Sequence, residues 1–104
     1  MGWYTEGSLL SPNADAILAD TTALAIGTVN ITVLLACSLP ATIMLERRNS
    51  TNTANVKEQL LYAPAGPNIC QLISVSITVA LNERIRIRLV DGIDGAYIQA
   101  SILT

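Results

Sequence analysis

Arg84, Arg86 and Arg88 stand at alternate positions in a 104-residue chain that has only six basic side chains. In an extended strand, side chains two apart share a face, so three guanidiniums would line up about 7 Å apart. Such a row could dock acidic groups of a protein partner, because arginine is favoured at interfaces. It could equally be a solvated face whose charges are answered across a sheet by Glu46 or Glu58. Asp91-Gly92-Ile93-Asp94-Gly95 resembles a calcium loop in outline but lacks the further carboxylates and closing glutamate that such a loop uses. Its glycines are better explained as positive-φ positions of a hairpin. Cys37 and Cys70 are too few for a disulfide scaffold, have no metal-type spacing and sit in apolar runs. Two buried thiols are expected.

Histidine is absent, which removes the commonest general base and the commonest metal ligand together. No G-x-S-x-G elbow, Ser-x-x-Lys pair, Walker loop or G-x-G-x-x-G stretch occurs, so no catalytic residue, cofactor or metal is assigned. A net charge of -2 argues against a nucleic-acid partner, which calls for a basic face. Trp3 and Tyr4 are half of the four aromatic residues. They could be an arm that inserts into a neighbouring chain, or a segment folded back over one end of its own domain.

The elements that must position these residues read as strands. Alternation over 28–37, 41–47, 69–81, 84–90 and 96–103, rich in Val, Ile and Thr, has the period of two that buries one face. It predicts a core of Ile31, Val33, Leu35, Ile43, Leu45, Ile73, Val75, Ile77, Val79, Ile85, Ile87, Leu89, Ile98 and Ile102. Shorter strands are plausible over 22–26 and 58–62, and turn chemistry falls at 39–40, 49–55, 63–68, 82–83 and 91–95. Only 13–25 could host a helix, and Thr21-Thr22 weakens that. The two charge-free stretches, 21–45 and 59–82, are long enough to cross a bilayer. Their polar, period-two character argues against membrane spans. The expected architecture is all-β: an irregular N-terminal arm over 1–16, then one antiparallel sandwich or barrel of jelly-roll or Greek-key type over 17–104.

Charged residues are only 13% of the chain, about half the usual share. Leu34, Ala36, Met44, Leu72 and Tyr97 fall on the outward phase of their strands, where charges are few. A surface of this kind predicts association, with Leu34, Met44, Leu72 and Tyr97 as the oligomer interface. The N-terminus lacks the basic start and apolar stretch of a signal peptide, so synthesis in the host cytoplasm is expected.

The C-terminal half carries a family likeness. The order Glu46-Arg47-Arg48-Asn49, then 52–56, then 60–65, leads through a long β-run to Leu81-Asn82-Glu83-Arg84-Ile85-Arg86 and closes with Gly95-Ala96-Tyr97-Ile98-Gln99-Ala100-Ser101-Ile102. It resembles the small head-decoration (cement) proteins of tailed bacteriophages. The resemblance implies a non-enzymatic virion protein on the outer capsid surface, a homotrimer that binds the major capsid protein and bridges capsomers. By analogy the arm, with Trp3 and Tyr4, would contact the capsid, and Arg84, Arg86 and Arg88 would orient the docking. Alternatives are a head-fibre base or tail-fibre module, or a carbohydrate-binding β-sandwich. The last is disfavoured by the scarcity of aromatic residues.

Overall fold

Runs such as Val29-Asn30-Ile31-Thr32-Val33 bury every second side chain if extended, and their β-branched residues favour a pleated surface. The computed structural model, which describes residues 2–62 and 69–104, realises this pattern throughout. Nine strands form: β1 (Trp3–Thr5), β2 (Leu9–Leu10), β3 (Ile17–Asp20), β4 (Gly27–Cys37), β5 (Thr42–Arg48), β6 (Asn55–Tyr62), β7 (Ile69–Val79), β8 (Arg84–Leu89) and β9 (Tyr97–Leu103). There is no helix among the described residues, and hence none long and apolar enough to cross a membrane.

The pairing is that of one long antiparallel hairpin rolled up on itself. β5 pairs with β6, β4 with β7, β3 with β8, and β1 and β2 with β9, each pair nested within the next. Rolling adds the contacts β4·β9 and β5·β8. The result is two antiparallel sheets, β1/β2-β9-β4-β7 and β3-β8-β5-β6. This is the strand order of a jelly roll. The sheets pack face to face as a sandwich and do not close into a barrel.

Among the described residues the buried cluster between the sheets is aliphatic apart from Cys37, with Tyr4 packed against its margin. Ile31, Val33 and Leu35 of β4 and Ile98, Ala100 and Ile102 of β9 face Leu18 of β3, Ile43 and Leu45 of β5, and Ile85, Ile87 and Leu89 of β8. The expected core residues all lie in or against this cluster. Ile73, Val75 and Ile77 of β7 are half-buried at its margin.

Three local expectations are corrected. The segment expected to be an irregular arm contains two short strands, Trp3 to Thr5 and Leu9-Leu10, both paired with β9. Too short to show periodicity, they alternate nevertheless, and Tyr4 and Leu9 pack on the core. Residues 13–25 form no helix; Ile17 to Asp20 pair with β8 across a bulge. The stretch 22–26 is no strand, because Leu24 bonds the turn at Asn82 and Glu83 while the chain crosses between sheets. The turn expected over 63–68 lies outside the described residues.

Candidate functional surfaces

Arg84, Arg86 and Arg88 do share one face of β8, the outer face of the four-stranded sheet. Register sets Arg86 beside Glu46 and Arg88 beside Met44 on β5. Arg86 Nε donates to Glu46 Oε1 at 2.9 Å, Arg88 Nε lies 3.4 Å from the same oxygen, and Arg88 Nη1 reaches Asp15 at 2.5 Å. Asn55 donates its amide to Glu46 and also to Glu58. These side chains lie across Glu46 so completely that the carboxylate is 0% exposed on a nominally outer face. Burial alone would raise the Glu46 pKa. Hydrogen bonds from Arg86 and Asn55, with the attraction of Arg86 and Arg88, outweigh it and hold the carboxyl below its usual range.

The row is therefore tied into its own molecule, as the cross-sheet pairing with Glu46 anticipated. Arg84 differs, with its Nε buried and without a hydrogen-bond partner. Arg48, opposite Arg84, spends its guanidinium on the β5–β6 turn, donating to Asn52 Oδ1, Asn52 O and Asn55 Oδ1. Arg47 points the other way, to Glu83 at 2.6 Å. That bond and the Ala80 N–H hold the Glu83 carboxyl below its ordinary value.

The other outer face has the opposite chemistry. The strands of the five-stranded sheet contain no charged residue, whereas all six basic residues of the chain lie in strands of the four-stranded sheet. Registered rows cross the charge-free face: Trp3 with Leu103 and Thr32, then Thr5, Ser101, Leu34 and Leu72, then Gln99, Ala36 and Cys70. Leu10 and Tyr97 pair at its far end. Leu72 is 67% exposed and Tyr97 57%, and Trp3 and Leu10 are exposed too. Between these apolar side chains stand only hydroxyls and amides.

The expected site residues thus divide between two opposite faces. Leu34, Leu72 and Tyr97 share the charge-free face, with Leu34 half-buried. Met44 does not join them: it lies on the outer face of the four-stranded sheet beside Arg88. Trp3 sits on the charge-free face, but Tyr4 turns inward, because neighbours on a strand point oppositely. The Tyr4 ring folds over Gly2, where an added Cβ would lie 2.5 Å from the phenol oxygen. Trp3 and the arginine row consequently cannot meet one flat partner together. Leu10 and Leu103 were not among the expected surface residues, although the outward phase of Leu103 could have been read from 97–103.

The cysteines split the same way. Cys37 is buried and Cys70 exposed, both free. Cys70 pairs with Ala36 rather than with Cys37, so the two thiols point to opposite faces, and the expectation of two buried thiols fails for Cys70. In the 91–95 loop, Gly95 has φ +74° as expected. Gly92 does not; a Cβ there would approach Ala14 N at 3.1 Å and Pro12 O at 3.3 Å. Close passage of the N-terminal segment, not backbone twist, requires that glycine. Asp91 and Asp94 are exposed, and no group of three or more His, Cys, Asp or Glu side chains gathers among the described residues. Neither the protein-family models nor the curated proteins match this chain.

Proposed function

We propose that this protein is a virion structural protein that decorates the outer surface of a tailed-phage capsid. It associates as a homotrimer and bridges neighbouring capsomers. The jelly roll alone does not choose a function, because such folds host capsid, lectin and other roles alike. One observation carries the reading: charge is segregated to one sheet, leaving the other sheet's outer face wholly uncharged with Leu72, Tyr97, Trp3 and Leu10 exposed. A surface of that kind is stable in water when another protein covers it. Copies of the chain cover most of it in the trimer, and Trp3, at the β1 edge, is left to meet the capsid. The motif likeness in the C-terminal half supplies the capsid as partner.

The test is cosedimentation with emptied capsids lacking decoration protein. The parent chain should bind, and Trp3→Ala should weaken binding about tenfold or more, as loss of an aromatic anchor does. Arg86→Ala should leave binding close to the parent, because its guanidinium is engaged with Glu46. Absence of binding by the parent, or loss with Arg86→Ala but not Trp3→Ala, would reject this reading.

A further inference from the structure

A sheet edge offers unpaired N–H and C=O groups, and natural proteins blunt such edges with short strands, bulges or charges. Three of the four edges here are blunted. The β1/β2 edge has strands of three and two residues separated around Gly7, at φ +85°. β3 has four residues and a bulge. β6 carries Lys57 and Glu58 and lies beside a bulge at Arg47/Arg48. β7 has none of these devices. Its eleven residues pair with β4 without a register shift, from Gly27↔Val79 to Cys37↔Ile69. They contain no charge and no proline, and they run about 34 Å in a molecule 39 Å long.

The side of the sandwich behind this edge is also open. Ile73, Val75 and Ile77 face the interior yet remain half-buried. Beside them a groove of about 270 Å³ opens between β7 and β6, floored by Leu45 and Arg47. No strand among the described residues covers the free edge of β7.

We infer that β7 is an assembly edge, paired antiparallel with β7 of a second copy across a two-fold axis. Self-pairing suits this strand because it has no charge to oppose its own copy, and like charges directly opposed are what forbid such pairs. An antiparallel pair centred near Ser74 keeps interior residues with interior residues: Ile73 faces Val75 of the other copy, and Leu72 faces Ser76. The five-stranded sheets become continuous, the unpaired backbone groups are satisfied, and the half-buried row gains cover. An isologous contact of this kind closes on itself and does not propagate into fibres.

The contact is separate from the three-fold association proposed above, and mass tells the two apart. In a strand, adjacent N–H groups point to opposite edges. Of Ser74→Pro and Val75→Pro, one therefore breaks the ladder to β4, and the other blocks only the free edge and leaves the outer face uncharged. The variant that keeps the parent's circular dichroism should have half the parent's mass by sedimentation. That means hexamer to trimer if the three-fold contact forms as well, or dimer to monomer if it does not. In the parent, hydrogen exchange should show alternate β7 amides, those turned away from β4, protected when assembled and exchanging on dilution. A monomeric parent, a folded proline variant of unchanged mass, or free-edge amides that exchange equally when assembled would each overturn the inference. If both proline variants unfold, the exchange pattern decides alone.

Discussion

At the scale of single residues, Glu46 is the most consequential polar group. It is a fully buried carboxylate held by Arg86, Arg88 and Asn55. Its folded pKa lies below the ordinary value of 4.5. A carboxyl depressed in this way stabilises the folded state fully above its unfolded pKa and loses that contribution as pH falls through the folded value. Glu83 shifts in the same direction and adds to the same limb. Thermal unfolding should therefore be insensitive to Glu46 titration near neutrality and weaken progressively below about pH 4.5. Glu46→Gln should cost about 1–3 kcal/mol at pH 7, less than a fully buried pair, because Arg86 and Arg88 retain 17% and 19% exposure. Its acid limb should also be shallower than the parent's. A variant with the parent's stability and an unchanged acid limb would show that the network is ornamental.

At the scale of elements, the sandwich rests on strand phase. Ile87 is fully buried at the middle of β8, registered between Ala19 of β3 and Leu45 of β5. Ile87→Ala should destabilise by about 2–5 kcal/mol, the usual range for such truncations, measured by urea unfolding. A cost below 1 kcal/mol would mean that the two sheets can collapse around the void. The same phase is why the long strands were legible: slipping 84–89 by one residue would bury three arginines in place of Ile85, Ile87 and Leu89. Short elements had no such signature. Leu9-Leu10 is too brief for alternation to register, and Ile17 to Asp20 hides behind a bulge that places Leu18 and Ala19 both inside. The mixed fate of the candidate surface has the same cause. Phase within a strand says that Leu34, Met44 and Leu72 point outward, but not from which sheet. Sheet membership comes from non-local pairing, β4 with β7 and β9 but β5 with β6 and β8, and nothing local in 41–47 records it.

At the scale of the whole molecule, the protein has two unlike outer faces. One is a charged face on which Arg86 and Arg88 are paired within the chain; the other is free of charge and carries Leu72, among the most exposed large hydrophobic side chains of the described residues. The central claim is that this second face is covered when the protein assembles. The chain contains its own reporter, since Cys70 is exposed on that face, across from Ala36 and two residues from Leu72, while Cys37 is buried. The most direct measurement is the alkylation rate of each thiol by a small maleimide, read by mass spectrometry. It is taken on dilute, dissociated protein, then on the concentrated oligomer, and then on decorated capsids. Cys70 should react readily when dilute and be protected at least tenfold in both assembled states, with Cys37 slow throughout. Cys70 reacting as fast on capsids and in the oligomer as in dilute solution would mean that the charge-free face stays open to water, and would contradict the account.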